Sequence, residues 1–582
     1  MGSWVKHIVA HIRSQRNRVL LAGLAIVLAN AFVVLFVNHE RYIYFWDYAN
    51  YWDKYVTLGK LFTNSPLTVL KEVWRSIRHD TYNFLPVLVF APFHAVLGSG
   101  RLTYVLLITN LYAIPAAFSC ALSLHNLTGD DNNPHPMVAG SVLTVLTVLL
   151  MPQFWTPVLF GYVDVVGVLV INAILFIYFS RASQSHTVVW LVTLALLLAG
   201  LILLRRWYAF WVVAFFIAAA LDRSLLFADS SRLTIRRYAE SLMPVLLIGV
   251  ASVIAFFVIA TPIALYMVRA NYADMYSAYK FSQNIVEFVA TVANQFGALV
   301  VLLFLASAVE CLLDKSLRQR AAFLLVTVLA SVWLFSRTQD FTIQHYYLIV
   351  PSLVVFLSVW ALKRYRSLTT RLARICFMVG YMIALLINFV VVFSPSGARY
   401  FEGLTSALSS ERHPPLVRED IAEMKRLLNV LQELTGNGKA SVYVLASSLI
   451  LNDSIVRQAG VQFYPRCSVC DRLELSSSVD KRDGLTSFGL LRARWIVVAD
   501  PIQYHLRPED QKVIGIPAYE MLSGTGIGVS YERLPYEFEL DKGVKVYIFE
   551  KVRPLQSDVI EAFSREFLKY YPDRPEFFAP AP

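Results

Sequence analysis

Charged residues are scarce in this chain. Asp, Glu, Lys and Arg make up 16% of its 582 residues, whereas 57% of the residues are hydrophobic. Soluble domains have about a quarter of their residues charged, so this composition excludes an ordinary soluble protein of this size. Several apolar runs reach the roughly 20 residues that a bilayer-spanning helix needs. The sequence therefore predicts a polytopic α-helical membrane protein.

Several chemical signatures are also missing. No glycine-rich phosphate loop, zinc-protease motif or nucleophile elbow stands out, and there is no internal repeat. Cysteine is rare, and only Cys467 and Cys470 form a CxxC pair. Zinc would need a second ligand pair, and a redox centre would need a thioredoxin-like context. We therefore favour a structural disulfide in an oxidising compartment.

The net charge of +11 comes from Lys and Arg in short clusters between the apolar runs. This is the positive-inside pattern of membrane proteins, and it argues against nucleic-acid binding. Basic residues precede the first apolar run, which lacks a clear cleavage site, so the N-terminus is predicted to be cytoplasmic and the run to stay as an anchor. Counting onward gives about eleven spans, which places the C-terminus outside. The prediction of topology is weakest at the link 125–136, because this link contains no Lys or Arg.

Composition divides the chain at about residue 394. Residues 1–393 are predicted to form the transmembrane module, with interfacial helices in the outer loop 38–97. Residues 394–582 have the composition of a soluble domain and are predicted to fold as an extracytoplasmic α/β domain. The Val- and Ile-rich runs at 441–445, 495–499 and 544–549 predict short buried strands.

The first outer loop opens with RYIYFWDYANYWDKY, residues 41–55. It places Asp47 among aromatic side chains where a membrane helix should end. If the stretch is helical, Asp47, Tyr51 and Lys54 share a face, whereas Asp53 points elsewhere. The simpler interpretation is an interfacial amphipathic helix whose carboxylate is solvated.

The other predicted outer loops add polar groups at the same membrane depth. They are Tyr162, Asp164, Arg205, Arg206, Arg337, Asp340, Gln344 and His345. Charges at this depth are costly and usually mark a substrate path or a reacting centre. Arginines hold phosphate in a fork geometry, and a carboxylate can deprotonate a hydroxyl. The set therefore favours a phosphate-bearing substrate beside a group that must lose a proton.

Each residue also has a simpler interpretation. Arg205 and Arg206 could be snorkelling ends of a membrane helix. Asp164 could be a helix N-cap, which does not exclude a catalytic role. His345 could be a packed histidine, because no second ligand stands at metal-binding spacing from it. The tyrosine-rich loop from Tyr266 to Tyr279 could be an interfacial aromatic belt.

The order of these features resembles the C-type glycosyltransferase superfamily (GT-C), in the branch of the protein O-mannosyltransferases and the aminoarabinose transferases of lipid A. The likeness lies in FWDYANYWDKY after the first span, the apolar segment that follows, Asp164 in GYVDVVG, RRWY after the fifth span and the late HYYLIVP segment. The sequence departs from the family at Tyr48, where relatives usually have Glu. The basic residue that relatives carry before the prolines of the apolar segment is replaced by Asn83, and Arg78 and His79 are the two candidates for its role.

This resemblance implies an inverting transfer of one sugar from a polyprenyl-phosphate donor to a lipid, glycan or protein acceptor outside the cytoplasm. Asp47 would be the general base and Asp164 would assist it. The donor phosphate would be held by Arg205, Arg206, Arg337 and Arg78. Substrate contacts would come from Tyr48, Tyr51, Tyr162, Gln344 and His345.

The resemblance does not fix the use of a metal, and a divalent cation, Mg²⁺ or Mn²⁺, is compatible with it. The expected location is the bacterial inner (plasma) membrane, among its lipids. Two alternatives stay open: a transporter or flippase of a lipid-linked sugar, and a non-catalytic protein of envelope assembly. The absence of inverted repeats counts against the transporter.

Overall fold

The computed structural model describes residues 20, 22–128, 134–180, 188–223, 235–404, 407–436, 440–485 and 489–578. The basic residues ahead of the first span lie outside the described residues. So does the centre of the link 125–136.

The chain forms two compact units. The first comprises the described parts of Met1–Glu40, Asn50–Ala270 and Ser282–Pro415, and the second comprises those of Arg41–Ala49, Asn271–Phe281 and Leu416–Pro582. Residues 394–415, which composition groups with the C-terminal domain, thus fall in the first unit. The soluble and extracytoplasmic character of that domain stays a prediction.

The first unit is helical. Its helices are α1 Ala22–Asn38, α2 Asp47–Asn64 (which begins in the second unit), α3 Pro66–His79, α4 Ala91–Leu97, α5 Arg101–Ile108, α6 Ile114–Thr128, α7 Pro134–Leu149, α8 Pro152–Leu159, α9 Val165–Phe179, α10 Val188–Leu204, α11 Ala209–Arg223, α12 Ile235–Arg269, α14 Ile285–Phe296, α15 Ala298–Leu313, α16 Arg318–Phe335, α17 Val350–Ser367, α18 Arg371–Phe393 and α19 Pro395–Tyr400. Short 3₁₀ turns cover Leu85–Phe90, Arg206–Tyr208 and Ile343–Leu348, and a π turn at Thr109–Ala113 joins α5 to α6.

Within the described residues, four helices are long and apolar enough to cross a membrane, and six if each of two bent helix pairs counts as one span. The four are Arg101–His125, Ala239–Arg269, Arg318–Phe335 and Arg371–Phe393. Four shorter apolar helices accompany them, including Val165–Phe179 and Val188–Leu204. The protein is thus a helical chain with several potential spans, and the count of about eleven stays a prediction.

Buried amide and hydroxyl groups join neighbouring apolar helices. Asn172 in α9 donates from Nδ2 to the Ser119 hydroxyl at 2.9 Å and accepts from the Ser123 hydroxyl at 2.8 Å, both on α6. Such bonds fix the orientation of neighbouring helices whose surfaces are otherwise uniformly apolar.

The second unit is built on a four-stranded sheet in the order β1-β2-β4-β3. Its strands are β1 Val442–Leu445, β2 Trp495–Asp500, β3 Tyr531–Leu540 and β4 Val544–Lys551. Strands β1 and β2 are parallel, and the other two pairs are antiparallel. The three predicted strands correspond to β1, β2 and β4. Its helices are α13 Tyr272–Met275, α20 Ile421–Gly436, α21 Asp453–Phe463, α22 Ser468–Arg472, α23 Asp480–Asp483, α24 Gly489–Arg492, α25 Lys512–Ser523, α26 Ser557–Leu568 and α27 Pro575–Phe578.

The segment before Asp47 belongs to this unit because it is bonded into it. Arg41 donates its backbone N–H to the Leu416 carbonyl and accepts from the Arg418 N–H, each at 2.9 Å. Ile43 and Phe45 are fully buried in the core on one side of the sheet. Position 47 is therefore held by an anchored strand-like segment on its N-terminal side.

The CxxC pair forms a disulfide between Cys467 and Cys470, as the sequence favours. Its sulfurs pack against Gly460 in α21, where a side chain would collide with both of them.

Candidate active site

Asp164 and Arg205 form a buried ion pair in the first unit. Arg205 Nε lies 2.7 Å from Asp164 Oδ1, and the two side chains are 6% and 0% exposed. Trp207 Nε1 donates to the same oxygen at 3.1 Å. Asp164 stands at the N-cap position of α9, but its side chain makes no capping bond there. Arg205 is buried rather than snorkelling, and Asp164 binds it instead of capping the helix.

Two tyrosines enclose the Arg205 guanidinium. Nη1 donates to the Tyr51 hydroxyl at 3.2 Å. The guanidinium carbon lies 5.3 Å from the centre of the Tyr51 ring and 4.5 Å from that of Tyr82. A planar, delocalised cation suits such aromatic surroundings. Since Tyr51 lies on α2, this contact joins the first and third predicted outer-loop segments.

The backbone around Asp164 depends on two glycines. Gly161 has a φ of +82°, and a Cβ there would lie 2.5 Å from Nη1 of Arg101. Gly167, on the first turn of α9, leaves room for the Tyr208 ring, whose hydroxyl donates to the Asp164 carbonyl at 2.7 Å. The turn carrying Asp164 is thus clamped by Arg101 on one side and by Tyr208 on the other.

Arg101 is a buried cation that the sequence reading missed. It is 8% exposed, and its guanidinium carbon lies 5.6 Å from the centre of the Trp52 ring and 5.8 Å from that of Tyr104. The available signal was its position immediately before a predicted span at the outer end. From sequence, an arginine at that position cannot be distinguished from an ordinary snorkelling arginine. Only the fold shows that Gly161 lies beside it.

Gln344 and His345 lie on the 3₁₀ turn Ile343–Leu348 and are buried. The Thr342 N–H donates to His345 Nδ1 at 3.1 Å, and the imidazole meets the Trp207 ring edge-on at 5.2 Å. Burial, assisted by the charge of Arg205, holds the pKa of His345 well below its usual range. His345 is therefore a neutral, hydrogen-bonded histidine that contacts Asp164 through Trp207.

Asp47 is the first residue of α2, and its side chain is half-buried. The residue before it, Trp46, has a φ of +44°, a conformation that is rare for a bulky side chain. Its N–H donates to the Ser454 hydroxyl at 3.0 Å. Tyr51 follows Asp47 by one helical turn, as the sequence predicts, and Asp53 is exposed.

The remaining predicted residues lie in different surroundings. Tyr162 is buried beside Asp164, and Arg206 is half-buried at the start of the turn that carries Trp207. Arg337 is exposed, with its guanidinium carbon 5.5 Å from the centre of the Trp333 ring. Arg78 is half-buried near the end of α3, and its Nε has no hydrogen-bond partner among the described residues. Tyr48 is half-buried, 5.9 Å from the Phe45 ring.

The donor set does not fit a divalent cation. Within the described ranges, no group of three His, Cys, Asp or Glu side chains is arranged to hold a metal. Asp164, one of the two candidate carboxylates, is paired with Arg205.

Comparison with known proteins bears on the fold. No protein-family model matches the chain, and no curated protein matches it. The structure is similar to that of ArnT from Cupriavidus metallidurans bound to undecaprenyl phosphate, with a TM-score of 0.50 at 12% identity over 91% of this chain and 97% of that chain. The apo state of the same ArnT gives a TM-score of 0.49 at 13% identity, with the same coverage. The first likeness shows that this chain has the ArnT fold.

Proposed function

We propose that the protein is an integral-membrane glycosyltransferase. It moves one sugar from a polyprenyl-phosphate donor to an acceptor on the extracytoplasmic side, with inversion at the anomeric carbon. The observation that carries the proposal is the buried cluster of Asp164, Arg205 and Tyr51. A buried ion pair is weak support for stability alone, because desolvation offsets most of the attraction between its charges. At membrane depth, such a pair is typical of a site that handles a charged substrate.

In the proposed reaction, the Asp47 carboxylate removes the proton from an acceptor hydroxyl. The acceptor oxygen attacks the anomeric carbon while the bond from that carbon to the phosphate oxygen breaks. Polyprenyl phosphate leaves with the electron pair and gains one negative charge. Arg205 is the proposed cation that stabilises this growing charge, with Arg206, Arg337 and Arg78 as further candidates.

Asp164 orients Arg205 through the 2.7 Å contact, and Trp207 shares the same carboxylate oxygen. Loss of a charge-stabilising donor costs on the order of 3 kcal/mol of transition-state stabilisation in other enzymes. Tyr51 accepts a hydrogen bond from Arg205, and it is the proposed contact to the donor. Tyr48, Tyr162, Gln344 and His345 are proposed to line the substrate path.

A polyprenyl phosphate is the proposed lipid because the ArnT structure of the same fold contains undecaprenyl phosphate. The bacterial inner membrane is the corresponding location. We further propose that the chain crosses the membrane about eleven times, with its N-terminus in the cytoplasm and its C-terminal domain outside. We also propose that it is related to the protein O-mannosyltransferases.

The decisive experiment measures transfer from radiolabelled polyprenyl-phosphate sugars into membrane extract, with and without chelator. Wild type is compared with Asp47→Asn and with Asp53→Asn, which removes an exposed carboxylate from the same helix. We expect wild type and Asp53→Asn to label an acceptor, and Asp47→Asn to lose turnover while it still folds and binds the donor.

Near-normal transfer by Asp47→Asn would exclude Asp47 as the base. If wild type transfers nothing from any donor but moves a lipid-linked sugar across vesicle membranes, the protein is a flippase. If it binds the lipid without transfer or transport, it is a non-catalytic assembly protein.

A further inference from the structure

Three aromatic rings meet in the second unit, and each comes from a different segment of the chain. Trp46 precedes α2, Tyr279 ends the tyrosine-rich loop, and His505 follows β2. The ring centres of Trp46 and His505 are 4.8 Å apart, and those of Tyr279 and His505 are 6.1 Å apart. All three side chains are partly exposed, so a ligand can reach the cluster.

Trp46 has an unfavourable backbone conformation at this position. Its φ of +44° lies in the left-handed region, which bulky residues rarely adopt and which glycine adopts readily. Such strain persists where the surroundings fix it, and it concentrates at functional sites. Here the hydrogen bond to Ser454 and the contact with His505 fix it, in the residue immediately before Asp47.

Tyr279 presents a hydroxyl whose orientation is set by Arg482. Arg482 Nη1 donates to the Tyr279 oxygen at 2.8 Å, so the phenol proton is directed away from the guanidinium. Burial raises the pKa of Tyr279, Arg482 lowers it, and the charges of Asp483 and Asp47 add to the rise. Tyr279 therefore stays protonated, and it lies near enough to Asp47 to sense its charge.

His505 is held in position by polar neighbours. Gln511 Oε1 accepts from the N–H groups of His505 and Leu506 at 2.9 and 2.8 Å, which fixes its amide. Gln511 Nε2 lies 3.0 Å from His505 Nδ1, and the Ser447 hydroxyl and carbonyl lie 2.8 and 3.2 Å from the same nitrogen. These contacts fix the imidazole plane that faces Trp46 and Tyr279.

The cluster thus offers aromatic faces together with the neutral hydroxyl of Tyr279. Arg482, the cation bonded to that hydroxyl, is paired with Asp483 at 2.7 Å, so its charge is compensated. A sugar ring fits this combination, since its C–H face packs on aromatic rings and its hydroxyls accept hydrogen bonds at the rim. An acyl chain would leave the proton of the Tyr279 hydroxyl without an acceptor, and such unpaired groups are costly.

We infer that Trp46, Tyr279 and His505 form the acceptor subsite beside Asp47, and that the group they bind is a saccharide ring of the acceptor. This inference rests on the proposed function and deepens it by naming the acceptor class. The tyrosine-rich loop is then part of a binding site rather than an interfacial belt.

The test uses full-length protein in detergent micelles or nanodiscs. Saturation-transfer NMR measures binding of short oligosaccharides of hexoses and of N-acetylhexosamines, and steady-state kinetics measures KM for the acceptor and for the donor. Tyr279→Phe removes only a hydroxyl, and Trp46→Gly removes the indole while it suits the backbone conformation at that position. Tyr519→Phe removes an exposed tyrosine hydroxyl elsewhere in the same unit and is the control.

We expect wild type and the control to bind an oligosaccharide. Tyr279→Phe should raise KM for the acceptor about threefold to tenfold, the usual effect of one lost hydrogen bond. Trp46→Gly should raise it by about tenfold or more, since an aromatic ring contributes through its large contact area. KM for the donor should not change.

An unchanged acceptor KM in both variants, with transfer intact in wild type, would overturn the subsite and leave the glycosyltransferase proposal standing. Transfer to a peptide or lipid that has no sugar ring would do the same. Oligosaccharide binding that is lost in both variants, in a protein that transfers nothing, would support the subsite and refute the proposed function.

Discussion

Nε of Arg205 lies 2.7 Å from Oδ1 of Asp164, and both side chains are buried. Because both charges are withdrawn from solvent, each depends on the other. Breaking such a pair leaves one uncompensated charge, whereas replacing both partners with apolar groups is often neutral or stabilising.

Asp164→Ala should therefore lower the free energy of unfolding by about 3–5 kcal/mol, because Arg205 stays buried without its carboxylate. The double variant Asp164→Ala, Arg205→Met should recover much of this loss. The free energies of unfolding of Asp164→Ala, Arg205→Met and the double variant, measured in detergent, give the coupling energy between the two side chains. Strictly additive effects would show that the two side chains do not depend on each other.

Arg205→Lys should weaken binding of a polyprenyl phosphate, even though the charge is kept. Lysine is a point charge and cannot contact Asp164 and Tyr51 with separate nitrogens as the Arg205 fork does. Equilibrium binding of a fluorescent polyprenyl phosphate measures the effect, which we expect to be tenfold or more, equivalent to about 1.4 kcal/mol. Arg75→Lys, at a solvent-exposed ion pair with Glu72, is the control and should bind normally. Equal affinities of the two variants would remove Arg205 from the phosphate site.

Some candidate site residues could be predicted from their position in the sequence alone. Asp47, Asp164 and Arg205 are such residues, because charged residues beside apolar spans are rare. Their partners could not be found in this way. Tyr82 and Trp207 reach the ion pair through folding, and no spacing rule connects them.

The strands show the same limit. Strands β1, β2 and β4 were predictable because Val and Ile fill their buried positions. Strand β3, YERLPYEFEL, was missed because it is charged and contains Pro535. It lies at the edge of the sheet, with an irregularity between Arg533 and Glu537, and an edge tolerates both features.

The five cysteines should separate into two chemical classes. Cys467 and Cys470 are bonded, and Cys120, Cys311 and Cys376 are free thiols. Alkylation of protein denatured without reductant should therefore label three cysteines by mass spectrometry, and prior reduction should raise the number to five. Five labelled cysteines without reductant, in protein isolated from an oxidising compartment, would contradict the disulfide.

Stability should fall as the pH is lowered towards 4, in part through His505. Burial lowers the pKa of His505 to about 4, with a smaller lowering by Arg482 that the Ser447 carbonyl and Asp483 oppose. The folded state therefore binds fewer protons than the unfolded state between about pH 4 and the ordinary histidine pKa of about 6.5. Stability from this group is complete above about 6.5 and is lost as the pH falls through this window. Thermal unfolding from pH 7 to pH 4 should show a shallower loss for His505→Gln, and an identical slope would refute the assignment.

Gly161 and Gly98 provide a matched pair for testing the turn that carries Asp164. Both have a positive φ, +82° and +80°, so alanine strains the backbone at each, and at Gly98 a ψ of −173° lies in a region essentially confined to glycine. A Cβ at position 161 would lie 2.5 Å from Nη1 of Arg101, whereas a Cβ at position 98 has open space around it. Gly161→Ala must therefore displace Arg101 or the turn, and Gly98→Ala need not. We expect both variants to lose a little stability in thermal unfolding, and only Gly161→Ala to lose most of its sugar transfer. Equal transfer rates would mean that the clamp of Arg101 on this turn does not position Asp164.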